Sequence, residues 1–166
     1  MSWSTFHTEC SALTGMQHVS RVQFSQKLAT AYHNSILRHF ETLTAGGTVI
    51  NTAPAVTTLY NGFLVSCEQN MMQHNQVNWL QQIGQYVMLY WAGAIIIGPT
   101  GIVNVTGTGS WTAPPVVPNL DFNIILWTME AACRIHLMTL TGIYTSTVTT
   151  PPLVTPWSGA LLQTTP

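Results

Sequence analysis

Three stretches with the apolar period of a helix, parted by segments rich in Thr, Pro and Gly, constrain this chain most. Leu28, Tyr32, Ile36 and Phe40 recur every four residues. Val77, Leu80, Ile83, Val87, Tyr90 and Ala94 keep a three-four spacing, and so do Phe122, Ile125, Met129, Cys133, Leu137 and Leu140. That spacing gathers apolar side chains into one stripe along a helix. It predicts helices over about 19–43, 63–97 and 122–140, with Ser20 and Asp121 as caps. Ala45-Gly46-Gly47 and Gly98-Pro99 read as stop signals. The polar, Met-containing run 69–78 reads as a break that splits the middle helix in two. Ile102, Val103 and Val105 read as a short strand, with a turn at Gly107-Thr108-Gly109.

The intervening segments repeat. Residues 43–62, LTAGGTVINTAPAVTTLYNG, return without a gap as residues 140–159, LTGIYTSTVTTPPLVTPWSG. Shared are the Leu-Thr start, three further Thr, a Pro and a closing Gly, with Tyr60 matched by Trp157. Extending the register backwards pairs Leu28 with Ile125, Tyr32 with Met129, Ile36 with Cys133 and Phe40 with Leu137. The expectation is one domain over 1–166, with two helix-plus-arm repeats at about 25–65 and 122–162 flanking a central helix at about 77–97. Thr48, Val49, Ile50 and Thr52 are β-branched or strand-compatible, so both arms are expected to be extended. The expected fold class is therefore α+β, mainly α: antiparallel amphipathic helices with short β strands in Thr/Pro-rich arms, built by internal duplication. Residues 1–17 read as an N-terminal arm.

Charge narrows the function. Only 5% of residues are Asp, Glu, Lys or Arg, against about 25% in ordinary globular chains. The few basic residues, Arg21, Lys27, Arg38 and Arg134, do not cluster as a nucleic-acid surface requires, so no direct nucleic-acid contact is expected. A membrane is the competing explanation for missing charge, through an apolar helix near 86–97. Basic flanks are absent there and Gly98-Pro99 interrupts the run, which speaks against a span. Cys10, Cys67 and Cys133 are odd in number and form no CxxC, so free buried thiols are expected.

No constellation points to an enzyme, and the expectation is no catalytic residue, no metal and no cofactor. His33 and His39 are six apart and fall on different helical faces. His39 and His136 come together only if the two repeats pack about a pseudo-twofold axis. No GxSxG elbow is present. Glu130 and Arg134 stand at i, i+4, the spacing of a simple helical ion pair.

Aromatic residues instead suggest contact with other subunits, because Trp and Tyr are enriched and Lys and Glu depleted in interfaces. The interface candidates are Pro54, Tyr60, Tyr90, Trp91, Trp111, Pro151 and Trp157. The arms offer edge strands that a neighbour's sheet could accept. The Thr/Gly/Pro-rich segments between amphipathic helices, the Tyr90-Trp91-Ala92-Gly93-Ala94 run and the near absence of charge resemble, in style, small virion proteins of tailed bacteriophages. That resemblance implies a virion component of the tail, baseplate, connector or capsid surface, with no functional residue carried over. The expected role is a structural subunit of a large multi-copy assembly, partnered by itself and by other structural subunits.

Overall fold

The computed structural model describes residues 6, 8–10, 20–43, 48–50, 53–71, 76–113 and 122–159, with side chains omitted at 38–43, 48–50, 53–55, 71, 76–77 and 122–123. Among the described residues the elements run in the order α1 (Arg21–Leu43), β1 (Thr48–Ile50), α2 (Ala53–Met71), α3 (Gln76–Tyr90), β2 (Ile95–Ile97), β3 (Gly101–Gly107), α4 (Phe122–Met138), β4 (Thr141–Ser146) and β5 (Val154–Ser158). The class is α+β and mainly α, as the apolar periods predict. Phe6 and Thr8–Cys10 are also helical.

α1 begins where expected. The Gln23 amide donates to the Ser20 hydroxyl at 3.3 Å, the capping bond that replaces a missing helical acceptor. Leu28, Tyr32 and Ile36 are fully buried, while Arg21, Gln26 and Lys27 of the opposite face are exposed. The N-terminal segment docks on this helix: Asn34 Nδ2 donates to both Glu9 carboxylate oxygens at 3.2 Å, and Phe6 and Cys10 enter the core.

The five strands form one antiparallel meander in the order β1-β2-β3-β4-β5. The α2–α3 pair is inserted between β1 and β2, and α4 between β3 and β4. Gly98-Pro99 closes the β2–β3 hairpin and does not end a helix: the Gly98 amide donates to the Gly101 carbonyl at 2.9 Å. The expected middle helix thus stops at Tyr90, and Ile95–Ile97 is strand. An apolar helix over 86–97 does not form, and no helix among the described residues is long and apolar enough to cross a membrane. The break expected within 69–78 falls between Met71 and Gln76.

The duplication expected from the repeated string is not shown. The second copy is a strand pair, β4 and β5, as predicted. The first copy is mostly helix, because α2 starts at Ala53 and runs through the supposed arm. The gapless pairing explains the difference. Pro54 and Pro151 correspond, and a Pro is tolerated in a helix's first turn. But Leu59 corresponds to Pro156. Leu59 is fully buried in the middle of α2, where a proline would remove a helical hydrogen bond and clash with the preceding turn. The spacing Val56, Leu59, Tyr60, Phe63 and Cys67 is helical, and the exposed Thr57 and Thr58 lie outside the buried stripe. β-Branching there did not decide the conformation, since burial of the stripe outweighs a weak local propensity.

Close approaches hold the helices to their neighbours. A Cβ on Gly62 of α2 would fall inside the Tyr86 ring of α3, and one on Gly84 of α3 inside the Trp111 indole. Trp111 is pinned there, its Nε1 donating to the Leu80 carbonyl at 3.0 Å. Gly84→Ala should therefore destabilise the protein by about 1–3 kcal/mol, although Ala is the better helix former by about 1 kcal/mol. The urea midpoint reports this directly. A neutral or stabilising result would show that Trp111 does not seat on Gly84.

Candidate functional site

The strongest polar cluster is internal. At the end of α3, Tyr90 and Trp91 are both fully buried. Trp91 Nε1 donates to the Tyr32 hydroxyl at 3.0 Å, and the Tyr90 hydroxyl shares a 2.6 Å hydrogen bond with His33 Nδ1. Tyr32 and Tyr90 meet edge to face at 5.4 Å, Tyr90 and Trp91 at 5.6 Å. Tyr90 and Trp91, expected at an interface, are therefore core residues that bind α3 to α1. An interfacial role for them is corrected: the chain's own helices consume their surfaces. Burial pushes the Tyr32 hydroxyl well above its ordinary value and moves His33 down.

A second cluster joins the C-terminal end of α4 to the loop after β3. His136 Nε2 donates to the Thr108 carbonyl at 2.7 Å. The Ser110 amide donates to Thr139 Oγ1 at 2.8 Å, and that hydroxyl donates to the His136 carbonyl at 2.7 Å. Gly109 takes φ +72° here, with its backbone against His136 and Thr139. His136 is fully buried and its Nδ1 has no hydrogen-bond partner among the described residues. Burial lowers its pKa, and the Thr108 carbonyl partly opposes that shift. The side chain of His39 lies outside the described residues. Among those residues no group of three His, Cys, Asp or Glu side chains is placed to hold a metal ion.

The cysteines are free and buried. Burial, with Glu9 nearby, pushes the Cys10 thiol up to about 12. Burial also raises Cys67 and Cys133. Raised thiols carry little of the thiolate that nucleophilic chemistry needs.

The remaining expected interface residues spread out. Tyr60 is half-buried at an open groove of about 390 Å³ between α1 and α2, which Gln26, Ala29, Thr30, Val56 and Thr57 complete. Trp111 is seated on α3. Trp157 is half-buried and packs against the core, opposite Gly142. Pro151 is exposed in the loop between β4 and β5. Pro54 lies in the first turn of α2, and its side chain is outside the described residues.

The surface that sequence reasoning missed is the outer face of α4. Ile124 is 45% exposed, Trp127 60%, Ile135 43% and Met138 37%, and Ala131 lies exposed between them. The opposite face of the same helix is core: Ile125, Met129, Cys133 and Leu137 are all buried. An ordinary surface helix is apolar on one stripe only. The signal was present, in a helix apolar on both sides. Reading a single stripe per helix concealed it. The nearest charge, Arg134, is paired with Glu130 at 3.7 Å, as the i, i+4 spacing predicts.

The outward face of the sheet is a second such surface. Successive ladder partners give two rows across the strands, Ile97–Ile102–Thr145–Val154 and Ile95–Asn104–Ile143–Pro156. Ile143 is 44% exposed and Val154 59%, and no described strand carries a charged residue. The free edge of β5 is blunted. The Gly159 amide donates to the Leu140 carbonyl and the Ser146 amide to the Leu153 carbonyl. That alternation makes Ile143–Pro156 a pair without ladder bonds, so the position lacking an N–H faces the outer edge. Pro at this place opposes addition of a further strand, against the expectation that this arm extends a neighbour's sheet.

No protein-family model, curated protein or solved structure matches this chain.

Two measurements check the internal clusters. Tyr32→Phe removes the acceptor used by Trp91 and should cost about 1–2 kcal/mol in denaturant unfolding. For His33 and His136 the folded pKa lies below the ordinary 6.5, so below that value the unfolded chain binds more protons than the folded one. Stability should be full above pH 6.5 and fall as the pH drops through the lowered values. His136→Gln should make the urea midpoint less sensitive to pH between 7 and 5, with the remainder due to His33.

Proposed function

We propose that this chain is a structural subunit of a multi-copy assembly and acts by packing against copies of itself and neighbouring subunits. The observation that carries the reading is α4, a helix apolar on its outward face as well as its inward one. A soluble monomer rarely exposes a contiguous apolar patch of this kind without a partner for it. The uncharged outer face of the sheet supports the same reading. It lies on different elements, and a protein with two separate adhesive faces can join more than one neighbour.

The stylistic resemblance to tailed-phage virion proteins names the setting we propose, a virion component. Nothing in the reading requires chemistry: the buried thiols are held in their protonated form, His33 bonds to a tyrosine and His136 to backbone. A membrane-associated protein is the alternative, and no described helix favours it.

Light scattering of the purified chain without detergent should give particles of several chains. Trp127→Glu together with Ile143→Glu should shift the distribution towards the monomer while leaving the far-ultraviolet circular dichroism unchanged. A wild-type chain that stays monomeric and soluble at tens of micromolar would overturn the proposal. Electron microscopy of native material carrying the chain tests the virion setting: labelled copies at defined positions on particles are expected.

A further inference from the structure

The outward stripe of α4 has an internal symmetry. Ile124, Trp127, Ala131, Ile135 and Met138 lie within an arc of about 80° and span roughly 21 Å along the axis. Measured from Ala131, the flanking residues stand at equal steps, four and seven residues in each direction. Reversing the helix about Ala131 therefore lays the stripe onto itself. Trp127 falls opposite Ile135, Ile124 opposite Met138, and Ala131 opposite Ala131.

We infer that α4 pairs with α4 of a second copy of this chain, antiparallel, about a twofold axis passing beside Ala131. The inference rests on the assembly reading above and names one of its contacts. A twofold contact requires a self-complementary patch, and this spacing supplies it. The small residue at the centre lets the helix axes approach to about 9–10 Å, while the larger side chains interdigitate on either side.

Electrostatics fit the antiparallel arrangement. Each α4 N-terminus, partially positive, lies beside the partially negative C-terminus of the other copy. The same reversal places Arg134 opposite Thr128 of the second copy, so the two guanidinium groups do not face each other. Arg134 also keeps Glu130 as its own counter-ion. In a parallel pair the two Arg134 would sit side by side and the helix ends would repel.

The area is adequate for one contact within a larger assembly. At the exposures given for Ile124, Trp127, Ile135 and Met138, each copy presents on the order of 400 Å². A symmetric pair then covers roughly 800 Å² before Ala131, Thr128 and Arg134 add to it, close to the ~1,000 Å² that a specific interface needs.

Cysteine cross-linking tests the geometry, because the native thiols are buried. Ala131→Cys should form a disulfide-linked dimer under mild oxidation, since axes about 9–10 Å apart leave the facing Cα atoms roughly 4.4–5.4 Å from each other, within the span of a disulfide. Ile124→Cys and Met138→Cys should each cross-link poorly alone and well when mixed. Ala131→Trp should weaken association at least tenfold in light scattering while the circular dichroism stays that of the wild type. If the wild-type chain is multimeric but folded Ala131→Cys fails to cross-link, the α4 pairing is overturned and the assembly reading stands. Self-linking of Ile124→Cys would mean a parallel pair and would also overturn it. A wild-type chain that is monomeric throughout removes both.

Discussion

The hydrogen bond from the Trp91 indole to the Tyr32 hydroxyl stands at the point where the chain changes from helix to sheet. α3 has just ended, and within a few residues the backbone must turn through Gly93, at φ +73°, to begin β2. Trp91 is the bulkiest fully buried side chain, and its N–H requires a partner inside the core. Tyr32, in the middle of α1, supplies one. Tyr90 beside it reaches His33, so adjacent residues on α1 receive adjacent residues from the end of α3. The sheet's inner face, with Ile96, Val103 and Val105, completes the same core. Helices and sheet thereby share one buried core.

That core also shows how a nearly uncharged chain keeps a defined interior. Several of the polar groups taken inside are neutral and bonded at short range. Asn70 donates to the Ser66 carbonyl and to Gln82 Oε1, tying α2 to α3. His136 donates to Thr108, tying α4 to the loop after β3. A buried amide or imidazole so bonded specifies its neighbour without the desolvation cost of a buried ion. Scarcity of charge is a different matter at the surface. There it removes the repulsion and hydration that keep molecules apart, and it leaves the outer stripe of α4 and the outer face of the sheet suited to contact.

The repeated string teaches a narrower lesson. Leu43–Gly62 and Leu140–Gly159 agree in Thr, Pro and closing Gly, yet one becomes mainly helix and the other a strand pair. The decisive positions are those where the copies differ. Leu59 belongs to a buried stripe that continues through Phe63 and Cys67. Pro156, at the matching place, excludes helix and sits on the blunt outer edge of β5. Even the shared closing glycine serves two ends: Gly62 admits the Tyr86 ring, and Gly159 admits the Leu137 carbonyl.

Much was legible in the residue pattern alone. The buried faces of α1 and α4, the Ser20 cap, the break between α2 and α3, the β3 strand, the Glu130–Arg134 pair and the three buried thiols all follow from spacing and side-chain chemistry. Those are local properties, and periodicity reports them because a helix or strand repeats its environment at a fixed interval. Tertiary structure alone decided the rest. The Ile95–Ile97 run could have continued a helix, but lying between its β1 and β3 partners it is strand. Tyr90 and Trp91 could have faced a neighbour, but α1 covers them. The second apolar face of α4 could have been core, and Ile124, Trp127, Ile135 and Met138 instead stay substantially exposed on it. In each case the residue's own chemistry allows both outcomes, and burial depends on which distant segment arrives to cover it.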